Sequence, residues 1–435
     1  MFKNYYLLKL LIFIFFSSNV FASEKILGPG DDKTGYDSEN YTTKSSSIKQ
    51  RIGKKYDISE FAYIKQLGLP KLKLNQERNV FLKKAELGKK LFFDRRLSIN
   101  NTFSCAMCHI PEQGFTNNEL QTAVGIEGRS NLRNSPTLLN VVYNKFLFHD
   151  GREFSLQNQI WQPLLAHSEM AMPSIGFIIK KLKLIDGYIE MFEEAYPRKG
   201  ISVETISDAI ASYEMTLISG NSKFDQWFYG KDSNAISDDA KKGFEIFAGK
   251  GNCIACHAVN KDHALFIDNK FHNTGIGYVN SMGGENKNGK KRVQLSPGNY
   301  VDVDVEIISS VNQQKLENDL GLYRVTENPN HRWLFRTPTL RNITETAPYM
   351  HDGSLHTLEE VVDFYDNGGH QNELLSPLIK KLNLTKKEKR QLIDFMKTLT
   401  GENLNLIVLD AISTPVGDLS SKDPSWGNEK GMGYD

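Results

Sequence analysis

Cysteine is scarce, with four in 435 residues. That count excludes a scaffold knit together by disulfides. Net charge is scarcer still: 53 Lys and Arg face 52 Asp and Glu, which leaves +1. So even a balance provides no basic field, and no nucleic-acid partner is expected. Long hydrophobic runs are missing too. With a mean hydropathy of −0.42, this excludes a multi-spanning membrane protein. What remains is ordinary: 40% hydrophobic and 24% charged residues, as in a soluble globular chain. At roughly 100–200 residues per domain, the length predicts two or three domains.

The chain opens with Lys3 and a short apolar stretch from Leu7 to Phe16, interrupted by Lys9. Val20 and Ala22 fit a small-residue cleavage site. The pattern reads as a secretory signal peptide over 1–22, cut after about Ala22, and predicts a periplasmic protein. The competing reading is a membrane anchor, but the stretch is too short to cross about 30 Å of hydrocarbon. No stable anchor is expected. Residues 23–75 are rich in Ser, Thr, Lys, Asp and Gly and read as an N-terminal arm or linker.

All four cysteines fall in two copies of one pattern, Cys105-Ala106-Met107-Cys108-His109 and Cys253-Ile254-Ala255-Cys256-His257. C-x-x-C-H attaches a c-type haem: two thiols add to the vinyl groups and the adjoining His binds iron. Two disulfides would leave the His after each pair unexplained. A Cys₄ zinc site would have to join pairs far beyond the usual spacing. A thioredoxin-like pair would need a βαβ setting, which the pattern does not offer. Two covalently bound c-type haems are the expectation.

The surroundings of the motifs also repeat. Leu87 and Leu91 share a helix face before the first, and Phe244 and Phe247 before the second. Ile206, Ile210, Tyr213 and Leu217 form an apolar stripe after the first, and Leu392, Phe395, Met396 and Leu399 after the second. Thr385 and Glu388 form a capping-box pattern, and Gly401 reads as a stop. The fold class is therefore mainly α, with two tandem cytochrome c-like haem domains split near Gly230–Ser237. The alternation in Tyr300–Ile308 leaves room for one short β-hairpin in an insertion. The boundaries are 76–235 and 236–402, followed by a tail over 403–435.

Several strings carry a resemblance. They are Leu87-Gly88-Lys89-Lys90-Leu91-Phe92-Phe93-Asp94, Asn134-Ser135-Pro136-Thr137, Asp150-Gly151-Arg152, Thr337-Pro338-Thr339-Leu340-Arg341-Asn342 and Ala347-Pro348-Tyr349-Met350-His351-Asp352-Gly353. In order and spacing, residues 76–402 resemble the bacterial di-haem cytochrome c peroxidase/MauG family. The resemblance implies that the first haem, on His109, meets hydrogen peroxide. It implies Glu169 as the group that moves a proton between the peroxide oxygens, with Gln159 and Pro163 beside it. The peroxidase branch caps the first haem with a His where this chain has Ile126, so that iron is expected to be open unless His149 or His167 substitutes. The second haem, on His257, is implied to relay electrons. Its opposite ligand matches Tyr365, as in MauG proteins, with Met350 as the runner-up. The family's inter-haem Trp is replaced by His149. A calcium ion between the haems is implied at Asn134, Thr346 and Pro348.

Three functions follow from this reading. The first is a periplasmic peroxidase fed by a small cytochrome c or copper protein. The second is a maturase that oxidises aromatic residues of a partner protein. The third is a di-haem electron carrier without catalysis. An open first iron and Glu169 weigh against the third. The donor, any protein substrate and the oligomeric state are not written in the sequence.

Overall fold

The computed structural model describes residues 58–74, 76–185, 187–282, 290–296, 299–304 and 318–412. The signal-peptide segment, most of the arm and the chain after Ile412 lie outside them. In chain order the helices are α1 (Arg78–Phe93), α2 (Leu156–Gln159), α3 (Trp161–Leu165), α4 (Ile175–Lys183), α5 (Tyr188–Ala195), α6 (Val203–Glu214) and α7 (Lys223–Phe228). There follow α8 (Asp238–Ala248), α9 (Ile276–Met282), α10 (Tyr323–Thr326), α11 (Leu358–Asp366), α12 (Lys386–Lys397) and α13 (Leu404–Ile412). Strand is confined to two small antiparallel pairs. β1 (Phe271–His272) pairs with β4 (Phe335–Arg336), and β2 (Lys290–Ser296) with β3 (Asn299–Asp304). The second pair is the hairpin expected in the insertion, lying slightly N-terminal to the alternating segment.

Two glycines explain how the helices meet. Glycine inside a helix is unfavourable by roughly 1 kcal/mol relative to Ala. Gly88 is nevertheless central to α1, because a Cβ there would lie 1.7 Å from the carbonyl oxygen of Ala209 on α6. Gly243 of α8 does the same work: its Cβ would lie 1.9 Å from the Gln391 carbonyl oxygen on α12. Each C-x-x-C-H motif is thus preceded by a helix that crosses a later helix in backbone contact. The later helices start firmly. Ser202 and Thr205 form a capping box at α6, and Thr385 and Glu388 form one at α12. Gly401, read as a helix stop, instead permits close approach, since a Cβ there would lie 2.1 Å from the Ser219 Oγ.

The described residues fall within one compact unit, Tyr56–Asp435, with two large apolar clusters. Residues from Ile58 to Leu217 build the first, and residues from Phe224 to Leu399 build the second. By packing, α7 belongs with the second cluster, because Phe224 lies against Phe228, Phe266 and Phe395. The packing therefore changes hands before the expected boundary at 235. Two ends also differ from expectation. The last part of the presumed arm is docked, with Ala62 and Leu69 buried against Phe81 and Ala85 of α1. The presumed tail begins with α13, which buries Leu404, Ile407 and Ala411 in the first cluster and pairs Asp410 with Lys89 at 2.9 Å. In both cases apolar residues find a face to cover.

One ion pair ties these parts together. Arg341 (1% exposed) and Asp225 (0%) face each other with both guanidinium nitrogens within 2.9 Å of the carboxylate. Arg341 also donates to the carbonyls of Ala264 and Gly68, so the docked arm and the second cluster share one cation.

Candidate functional site

Each C-x-x-C-H segment folds as a single 3-10 turn, Cys105–Met107 and Cys253–Ala255. The amide of His109 donates to Cys105 at 3.0 Å, and that of His257 to Cys253 at 2.9 Å. This turn holds both thiols and the imidazole on one short piece of backbone. The four thiols are unpaired, which removes the disulfide reading. Burial pushes them up, to about 12 for Cys108 and Cys253 and about 11 for Cys256, and Cys105 further still. Cys105 and Cys108 pack on the first cluster and Cys253 on the second, so no Cys₄ site forms.

The histidines are oriented identically. His109 Nδ1 donates to the Phe115 carbonyl at 3.1 Å, and His257 Nδ1 to the Phe266 carbonyl at 2.9 Å. The carbonyls of Pro136 and Pro338 also lie against the two rings. A ring whose Nδ1–H is fixed in this way presents Nε2 as the ligand atom. Burial, the largest influence, lowers both histidines and keeps them neutral, as iron ligation requires.

A cavity of about 960 Å³ opens beside the first motif. Cys108, His109, His149, Gln159, Pro163 and Glu169 all line it. Cys105 joins His109, Gln159 and Glu169 in an inner pocket that continues it. The helix pair α2–α3 and the turn after it place the distal residues: Glu169 N donates to Ala166 O, and Met170 N to Pro163 O. Burial raises the Glu169 carboxyl above its usual range, opposed in part by the charge of Arg152. Ile126 (2% exposed) sits in the apolar core, and its amide donates to the Glu169 carbonyl at 3.0 Å. Gly125 allows this closeness, as a Cβ there would lie 2.1 Å from the Ser168 carbonyl oxygen. The Ala123–Ile126 stretch therefore props up Glu169 and brings no ligand into the cavity. His167 is exposed and lies off the cavity wall.

His149 does line the cavity, but its Nε2 donates to the Asn134 carbonyl at 2.9 Å. Burial and the nearby Arg133 push it down to about 3, so it is neutral. Around it runs a charged lattice. Arg133 pairs with Asp150 at 2.7 Å and with Asp319 at 2.6 Å, and Arg152 pairs with Asp150 at 2.9 Å. Arg336 donates to the carbonyls of His149 and Phe148. His351 stacks on Phe335 at 3.6 Å, and its carbonyl accepts from Asn134 N. This lattice was missed in the sequence, where Arg133 and Asp319 stand on either side of the insertion.

At the second motif, burial raises the Tyr365 phenol far above its usual range, followed by the proximity of Cys256 and Cys253. That proximity brings Tyr365 to the second pair of thiols. Met350 lies in a turn with φ +72°. Asp268 and His272 were also missed: with Cys256 they bring donor atoms within 4.8 Å of one another, and His272 Nε2 donates to Asp268 at 2.8 Å. Asn134 and Pro348 lie near one another. Asn134 Nδ2 donates to Gln121 O at 3.1 Å, and that same oxygen and Pro348 both crowd Gly353. Thr346 packs its methyl group against Gly114.

A family model described as di-haem cytochrome c peroxidase matches residues 82–233. The methylamine utilization protein MauG of Methylorubrum extorquens is 34% identical over 73% of this chain and 78% of its own. Cytochrome-c peroxidase IdrP2 of Denitromonas iodatirespirans is 34% identical over 74% of this chain and 83% of its own. The chain belongs to the di-haem cytochrome c peroxidase/MauG family. It is an oxidoreductase with haem cofactors. The crystal structure of a MauG-like protein associated with microbial copper homeostasis superimposes with TM-score 0.62 at 29% identity, covering 81% of this chain and 97% of that one. The names MauG and cytochrome-c peroxidase both occur among these relatives, so the family alone does not choose an activity. Among the described residues, no helix is long and apolar enough to cross a membrane.

A residue the sequence reading passed over completes the first cavity. Glu214, the last residue of α6, lines both the main cavity and its inner extension. A position one turn after Ile210 on a helix buried nearly all round was the available signal.

Proposed function

We propose that this chain is an exported di-haem peroxidase that reduces hydrogen peroxide to water. In this reading Cys105 and Cys108, and Cys253 and Cys256, hold the haems as thioethers, and His109 and His257 ligate the irons. Electrons enter from a small cytochrome c or copper protein through the second haem. The overall change is H₂O₂ + 2 e⁻ + 2 H⁺ → 2 H₂O. The bound haems supply an iron that accepts peroxide and an iron that relays electrons. The observation that carries the reading is that Glu169 and His109 line one cavity, while Ile126 is committed to the core.

The chain's own residues do the rest. Glu169, desolvated yet partly offset by Arg152, takes a proton from the near peroxide oxygen and returns it to the far one. Gln159 orients the peroxide through its amide, and Pro163 shapes the wall beside it. Neutral His149, fixed on the Asn134 carbonyl, bridges toward the second half. Tyr365, close to Cys256 and Cys253, would ligate the second iron, a hard donor that would favour the oxidised state. Asn134, Thr346 and Pro348 would hold calcium, and with neutral donors alone the site would be weak.

The second reading is the maturase, favoured by Ile126 and Tyr365, both of which follow the MauG pattern. Peroxide titration with and without reduced cytochrome c decides. Rapid oxidation of the cytochrome supports the peroxidase. A long-lived, doubly oxidised state with slow cytochrome turnover replaces it with the maturase.

A further inference from the structure

Glu214 is a carboxyl in an unusual place. It is 4% exposed, and its Oε2 has no hydrogen-bond partner. It lines the same inner pocket as Cys105, His109, Gln159 and Glu169. Its neighbours do not neutralise it. On α1, Lys84 is held by Asp208 and Lys89 by Asp410, and Lys90 lies over the Tyr188 ring. The α2 helix, Leu156–Gln159, carries no titratable group. The charge of Asp410 on α13 is answered by Lys89, while Tyr213, next in the chain, has a buried hydroxyl without a partner. Cys105 faces Glu214 from the motif turn, and Glu169 shares its cavity. Burial alone pushes Glu214 up to about 8, so at neutral pH it is a protonated acid inside the site. A buried polar atom left unpaired is destabilising, and native chains seldom keep one without a use.

The reaction supplies a use. Glu169 moves a proton between the two peroxide oxygens and leaves the proton count unchanged. Reduction to two waters consumes two electrons and two protons, and the protons must reach the inner pocket that Glu214 lines. We propose that Glu214 is the proton store of the first haem cavity, releasing its proton when electrons leave the cofactor and recovering one from solvent when electrons return. This rests on the reading that Cys105, Cys108 and His109 hold a haem. The electrons come from the small redox protein of the proposed function, and the second proton comes from solvent. Glu214 acts by balancing charge rather than by touching peroxide, so its signature is a coupling between potential and pH.

Spectroelectrochemical titration of the purified di-haem protein across pH 5–10 tests this. In the wild type, the midpoint of the first haem falls as pH rises through about 8, approaching one proton per electron. The sign follows from charge: a carboxylate beside the cofactor favours the oxidised form. Glu214→Gln, equal in size and unable to ionise, loses this fall, whereas Glu214→Asp keeps it. The second haem is the internal control and has the same profile in all three proteins. A fall that persists in Glu214→Gln overturns the inference. A second measurement needs no variant: indicator-dye proton uptake on reducing the wild type at pH 9 reads zero if Glu214 is not the store. Absence of a haem at the first motif overturns the site reading as well. A loaded protein with a pH-independent first haem overturns this inference alone.

Discussion

Glu169→Gln separates proton transfer from everything else in the first cavity. The substitution keeps side-chain size, and the backbone bond from Ile126 N to the Glu169 carbonyl is untouched. What is lost is a group able to accept a proton. General acid–base groups contribute about 10²–10⁴-fold, which at 1.36 kcal/mol per decade is about 2.7–5.4 kcal/mol of barrier. The structure sets the pH dependence. The carboxylate is the form that accepts the first proton, so the wild-type rate rises with pH through the Glu169 pKa. Burial moves that inflection above the usual carboxylate range, and Arg152 pulls it partway back. Arg152→Ala therefore shifts the inflection to higher pH, and Glu169→Gln abolishes it. Stopped-flow mixing with peroxide, followed in the Soret band from pH 4 to 8, reads both effects. A Glu169→Gln rate within twofold of wild type would remove the residue from the mechanism.

Three further perturbations address other parts of the molecule. Tyr365→Phe should convert the second haem's low-spin signal in electron paramagnetic resonance; an unaltered signal passes the ligand role to Met350. Asp225→Asn leaves the Arg341 charge buried and unpaired, an expected loss of about 3–5 kcal/mol in denaturant unfolding. A loss below about 1 kcal/mol would show that the pair does not anchor the docked arm. Gly243→Ala forces a methyl against the Gln391 carbonyl, at a cost of about 1–3 kcal/mol or more. An unchanged melting temperature would mean that α8 and α12 can separate freely.

Local patterns were legible in the sequence, and relations across the chain were not. The two motifs, the helix before each and the capping box at Thr385 depend on neighbours within a few residues, so spacing reveals them. Glu169 needed the resemblance, because a lone Glu after a short helix says nothing of burial. The helix Leu404–Ile412 is apolar on its face, yet it reads as a tail until Lys89 of α1 is seen to meet Asp410. Arg133 and Asp319 are 186 residues apart. Their pairing joins segments far apart in the chain, which no periodicity encodes. Glu214 was hidden for a different reason. Its place one turn after Ile210 hints at burial, but the sequence cannot show that its carboxyl lacks a partner.

The two halves then pose a question of divergence. They share a glycine at the helix crossing, a turn that presents the histidine, and a phenylalanine carbonyl that fixes its Nδ1. These devices hold a haem and orient one ligand, and they cannot by themselves make one iron reactive and the other a relay. The difference must come from the other side chains around each motif. In the first half the inner pocket offers Gln159, Glu169 and Glu214, with Ile126 turned into the core, so protons can be handled and Ile126 does not compete with peroxide. In the second half Tyr365 approaches the thiol pair, and apolar side chains such as Leu355, Val361 and Leu382 pack against the second cluster. On the proposed reading, a few side chains beyond the proximal histidines divide the labour between two copies of one scaffold. Introducing a histidine at Ile126 is the sharpest trial of that argument. The new side chain would start from a core position whose amide is already held by Glu169, so it should distort Glu169 before it can cap the iron. Peroxide reactivity is therefore expected to fall even in variants whose first haem stays high-spin. A fall seen only when that haem becomes low-spin would assign Ile126 a purely ligand-excluding role.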